Sequence, residues 1–63
     1  MILEEILEKY TAGTRDFTGL NLFEANLNGI NLSGANLTGV NLSVANLSGA
    51  NLTNANLSKA KLN

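Results

Sequence analysis

The chain has 63 residues and a net charge of −1, and it contains no cysteine, histidine, proline or tryptophan. That length allows one small domain, near the lower limit for a self-supporting core. The missing residue types exclude a disulfide staple, a thiolate or imidazole metal site and catalysis by an imidazole base.

The near-neutral balance gives no global reason to bind nucleic acid or an anionic membrane. It hides an asymmetry. Glu4, Glu5, Glu8, Asp16 and Glu24 set against Lys9 and Arg15 make the first half −3, and Lys59 with Lys61 make the second half +2. No apolar run approaches the roughly 18 to 20 residues of a membrane span. Glu4 and Glu5 stand where a secretion signal carries basic residues, so a soluble, cytoplasmic chain is expected.

In chain order, Ile2, Leu3, Ile6, Leu7 and Tyr10 fall at helical spacing with Glu4, Glu5, Glu8 and Lys9 between them. The pattern predicts an amphipathic helix from about residue 2 to residue 11. Its early glutamates suit the positive end of the helix dipole, and Glu5 stands four residues before Lys9. Gly13 marks the stop, because glycine enters the left-handed region without a Cβ clash. So short a helix is marginal alone in water, and its apolar stripe is expected to cap the remainder of the chain. Residues 1–14 therefore form a capping segment and residues 15–63 a second unit.

In that second unit leucine or phenylalanine recurs every five residues, at Phe17, Leu22, Leu27, Leu32, Leu37, Leu42, Leu47, Leu52, Leu57 and Leu62. A step of five turns an α-helix by about 140° from one leucine to the next, which scatters them over every face. In one long strand the odd spacing alternates them between two sides. Within a unit such as Ala35-Asn36-Leu37-Thr38-Gly39, alanine and leucine are two apart and share a face while asparagine takes the other. Thr38-Gly39 then turns the chain. Repetition of short strand and turn keeps every leucine inside only if the chain winds round an axis, as in a β-solenoid. The periodicity alone leaves open how many units complete one coil.

The tandem Ala-Asn-Leu-Ser/Thr-Gly units resemble the pentapeptide-repeat family, whose consensus is Ala-(Asp/Asn)-Leu-x-x. The opening Glu5-Ile6-Leu7-Glu8-Lys9-Tyr10-Thr11-Ala12-Gly13-Thr14-Arg15-Asp16-Phe17 is similar to the helical lead-in of some members. The resemblance implies an all-β fold: a right-handed quadrilateral β-helix of four units per coil, with a short N-terminal capping α-helix. Residues 15–63 would give about two and a half coils, rising roughly 12 Å at the usual inter-strand spacing. The columns Phe17/Leu37/Leu57, Leu22/Leu42/Leu62, Leu27/Leu47 and Leu32/Leu52 should all lie inside. Leu20, Ile30 and Val40 replace the second inward alanine in early units and should fill the first coil differently. Where glycine is usual the chain has Glu24, Val44, Asn54 and Lys59, and β-branched Val44 predicts a turn that avoids positive φ.

Asn31, Asn36, Asn41, Asn46, Asn51 and Asn56 match the glycosylation sequon, a match that the repeat generates by itself. Their expected role is a hydrogen-bonded ladder along the outside, or plain solvation. Ser33, Ser43, Ser48 and Ser58 have no base beside them, and no loop gathers several carboxylates, so neither an enzyme nor a metal or cofactor site is expected. Some members of the family bind DNA gyrase by imitating duplex charge. That needs rows of carboxylates, whereas the outward column from Asp16 to Asn56 has only Asp16 acidic. Thr18, Thr38 and Ser58 form too small a file for the flat threonine arrays of ice-binding solenoids.

The ends carry the remaining signal. An uncovered last coil would expose the edges of Leu47, Leu52, Leu57 and Leu62 with unpaired backbone groups, which invites another chain. Lys59 and Lys61 are charges that would discourage open-ended stacking. Phe23 and Val44 should face outward one coil apart as a small apolar patch. The expected role is a non-catalytic structural or protein-interaction module that self-associates as a homodimer or meets another protein, without nucleic acid, membrane or small-molecule substrate. The alternatives are a gyrase-directed DNA mimic and an isolated or designed fragment without a function of its own.

Overall fold

A computed structural model of the chain describes residues 3–63. It opens with helix α1, Leu3–Thr11, whose first turn carries Glu4 and Glu5 and whose last turn carries Lys9. The helix closes as the glycine predicts. Gly13 lies at φ 104°, its N–H donates to the Tyr10 carbonyl at 3.0 Å, and the Thr14 N–H donates to the Lys9 carbonyl at 2.9 Å. This pair of crossed bonds is the Schellman ending, which satisfies two carbonyls the helix leaves open. The Arg15 guanidinium then fastens the exit, donating to the carbonyls of Tyr10 at 2.9 Å and Thr14 at 3.0 Å. It also lies 3.6 Å from the centroid of the Tyr10 ring.

The expected capping stripe is narrower than its spacing suggests. Ile6 is buried, and Tyr10 packs partly buried against the same core. Leu3 and Leu7, by contrast, are 39% and 42% exposed. A single turn of helix meets the core, and so its neighbours on the stripe face water. Ile2, also expected in that stripe, lies outside the described residues.

After Arg15 the chain pairs with itself in parallel, each residue opposite the one twenty positions on: Asp16 with Asn36, Asn21 with Asn41, Asn26 with Asn46, Asn31 with Asn51, Asn36 with Asn56 and Asn41 with Lys61. Twenty residues are four units, so the structure supplies the count that the period left open. Between circuits the backbone bonds follow one rule, with lengths of 2.7 to 3.0 Å. The Leu27 N–H donates to the Asn46 carbonyl, and the Asn46 N–H donates to the Ala25 carbonyl. These contacts are isolated bridges rather than continuous strands or a sheet. Turns leave too few extended residues in each unit for a longer ladder, which corrects the expectation of runs of short strands.

Nine turns repeat the same form, from 17–20 to 57–60, each closed by a bond of 2.9 to 3.4 Å from the fourth residue's N–H to the first residue's carbonyl. The third residue of every one has positive φ. A positive φ there, with a negative one before it, is the sign pattern of a type II turn. Val44, at φ 61°, obeys it like the glycines, and so do Glu24, Asn54 and Lys59. The expectation that Val44 avoids positive φ is therefore wrong. Bonding above and below overrides the local preference: the Glu24 N–H reaches the Ser43 carbonyl, and the Val44 N–H reaches that of Asn63. A turn of another type would break that stacking.

The core is the column of leucines. Phe17, Leu22, Leu27, Leu32, Leu37 and Leu42 are buried, with Ile30, Ala35 and Val40 between them, while Leu20 is half-buried. Leu47, Leu52 and Leu57 are only partly buried, and Leu62 is 59% exposed. The expectation that every column lies fully inside fails at Leu62, because burial of each circuit depends on the circuit that covers it. The whole measures 29 × 20 × 20 Å.

Candidate interaction surfaces

The outer surface is built by the asparagines, and its geometry differs from a ladder. In each unit the side-chain Oδ1 accepts the backbone N–H two residues on, at 3.0 to 3.1 Å: Phe23 on Asn21, Asn28 on Asn26, Ser33 on Asn31, Thr38 on Asn36, and so on to Ser58 on Asn56. The amides thus act locally, holding the entry to each turn, as Asx turns do. Threonine at the second position tightens the arrangement. The hydroxyls of Thr18, Thr38 and Thr53 each donate to the same oxygen at 2.6 Å.

Asp16 is the carboxylate version of this unit. The Thr18 hydroxyl donates to its Oδ1 at 2.6 Å and the Thr18 N–H at 3.1 Å. The hydroxyl bond first, and then the backbone bond, hold its pKa below the ordinary aspartate value. Its eight counterparts from Asn21 to Asn56 are neutral amides, so this outward column carries no row of carboxylates that could imitate the phosphates of a nucleic-acid duplex.

The six residues proposed as an interface fall into two places. Phe23 and Val44 are 51% and 66% exposed, on the corner where turn 22–25 bonds to turn 42–45. Leu62 continues that corner, twenty residues beyond Leu42. Leu47, Leu52 and Leu57 lie instead around the trailing face, formed by residues 44–63. There the N–H groups of Leu47, Gly49, Leu52, Asn54, Leu57, Lys59 and Leu62 find no backbone acceptor among the described residues. The carbonyls of Ala45, Ala50, Ala55 and Ala60 likewise find no backbone donor there.

The opposite, leading face is formed by residues 15–34 and carries α1. Ile6 enters the core, and the Tyr10 hydroxyl donates to the Ser33 carbonyl at 2.6 Å. That bond is not legible in the residue pattern. Tyr10 reads there only as an apolar stripe residue, and its partner lies 23 positions away.

Other sites are sparse. A shallow open depression beside α1 is lined by Leu7, Glu8, Thr11 and Ala12. Among the described residues no group of three or more acidic, cysteine or histidine side chains could hold a metal ion. No helix there is long and apolar enough to cross a membrane.

A five-residue unit, a twenty-residue register and one turn form repeated throughout define a tandem-repeat protein. The family profile for Pentapeptide repeats matches residues 16–54 and 30–63, in eight copies. The chain belongs to the pentapeptide-repeat family, whose repeats are generally structural and non-catalytic. A comparison with curated proteins finds no match.

Proposed function

We propose that the chain is a non-catalytic interaction module, a right-handed quadrilateral β-helix that pairs with a second copy of itself through residues 44–63. The twenty-residue parallel register supports the architecture. One observation carries the pairing: the trailing face combines partly buried Leu47, Leu52 and Leu57 with open backbone donors and acceptors. Such an edge is a template for another chain.

The edge is also self-complementary. Leucine N–H groups alternate with alanine carbonyls around it, so a two-fold axis can set the leucine donors of one copy against the alanine acceptors of the other, with the N–H groups of Gly49, Asn54 and Lys59 at the turns left to solvent. That is the pattern of an isologous interface. The leucines supply the apolar interior and exposed Leu62 extends it at the corner.

Analytical ultracentrifugation over a concentration series tests the pairing. A reversible monomer–dimer equilibrium is expected. A well-folded chain that stays monomeric at the highest concentration overturns it. Leu52→Lys, at the centre of the face, should shift that equilibrium to monomer by at least about tenfold, since it buries an unpaired charge.

A further inference from the structure

The bonding rule between circuits can be applied to the leading face as well. In the interior, the Gly34 N–H donates to the Thr53 carbonyl at 2.8 Å. Ser33 stands twenty residues before Thr53, so its carbonyl is where a preceding circuit would place an N–H. In this chain the position assigned to that donor belongs to Thr14. The Thr14 N–H is diverted to the Lys9 carbonyl, where it closes α1. The Tyr10 hydroxyl takes its place on Ser33 at 2.6 Å. Ile6, 1% exposed, supplies the apolar cover on the same side.

The two faces of the molecule are also complementary to each other. The trailing face offers the N–H groups of Leu47, Leu52 and Leu57. Their counterparts one circuit back, Leu27, Leu32 and Leu37, donate to the carbonyls of Asn46, Asn51 and Asn56. The leading face holds the equivalent carbonyls of Asn26 and Asn31. Without α1, the trailing face of one copy would continue onto the leading face of another in the same register, and a third could follow. Head-to-tail contacts of that kind do not close.

We propose that α1 is a stop against open-ended stacking, and that the Tyr10 hydroxyl is its lock, occupying on Ser33 the acceptor that an incoming copy would use. The occupant that it keeps out is a second copy of this chain. This rests on the proposed availability of the trailing face but not on the two-fold pairing, which the experiment separates from it.

The test is sedimentation velocity on the full chain and on two full-length variants, with circular dichroism as the check of folding. Ile6→Ser combined with Tyr10→Phe undocks the helix. Tyr10→Phe alone removes the lock and leaves the apolar contact. The double variant should grow with concentration past the dimer into a ladder of larger species, and an equal amount of unaltered chain should shorten that ladder by ending it. A folded double variant with the size distribution of the unaltered chain overturns the proposal. If the double variant does not fold, Tyr10→Phe decides: species beyond the dimer support the lock, and an unchanged distribution overturns it. A monomeric unaltered chain beside a polymerising variant would sink the two-fold pairing and keep the stop. Dimers of both would do the reverse.

Discussion

At the scale of single residues, the repeat works by one division of labour: the leucine fills, the asparagine holds the turn entry, and the residue three places after asparagine bends backward. Val44 meets the last demand badly. A β-branched side chain at φ 61° is strained in a region that costs non-glycine residues about 1 to 2 kcal/mol. Val44→Gly should therefore stabilise the fold by about 1 kcal/mol, after allowance for the backbone entropy that glycine loses. Asn54→Gly should change little, because asparagine tolerates the left-handed region. Urea denaturation of the two variants checks the difference.

Asp16 permits a second test at this scale. Its pKa is lowered in the fold by the Thr18 hydroxyl and N–H. A carboxylate held below its unfolded value contributes stability at pH values above that unfolded value. The contribution disappears as pH falls through the folded value. Asp16→Asn keeps the acceptor oxygen that its eight counterparts use, and it cannot protonate. The unaltered chain should lose stability relative to Asp16→Asn only as pH falls below about 4. Thermal melts at matched pH would show the two curves diverging there. Parallel curves would mean that the Thr18 bonds do not favour the charged form.

At the scale of elements, α1 depends on one buried side chain and one hydroxyl. Ile6→Ala should cost about 2 to 5 kcal/mol, in the range for truncating a buried aliphatic residue. Leu7→Ser, at a position 42% exposed, should stay within about 1 kcal/mol. Equal losses would mean that both leucine and isoleucine face the core. The helical spacing made this element readable, since Glu4, Glu5 and Gly13 mark its ends in ordinary ways. It could not rank Ile6 above Leu7, because both lie on the same stripe and only the position of the first circuit distinguishes them. The Asx turns were hidden for a related reason. An asparagine pointing outward has the same pattern whether it is solvated, stacked on another asparagine or bonded two residues on.

At the scale of the molecule, the leucine period exposed the repeat. The twenty-residue register came from the resemblance and then from the bridges. Val44 takes the positive φ that its own local preference disfavours, because backbone bonds stack its turn between Glu24 and Asn63. Those bonds belong to the assembly of circuits, which also sets how deeply each leucine is buried. Phe17 to Leu42 are covered, Leu47 to Leu57 half-covered, and Leu62 stands in the open.

Amide hydrogen exchange tests the central claim, a stack whose trailing edge pairs with a second copy, most directly. Residue-resolved rates should be slow for Leu27, Leu32 and Leu37, whose N–H groups each reach the next circuit at 2.8 Å. In dilute protein Leu47, Leu52 and Leu57 should exchange fast, and their protection should rise with concentration as a second copy covers them. Rates at Leu47, Leu52 and Leu57 that stay fast at every concentration would contradict the pairing. Fast exchange at Leu27, Leu32 and Leu37 would contradict the stack itself.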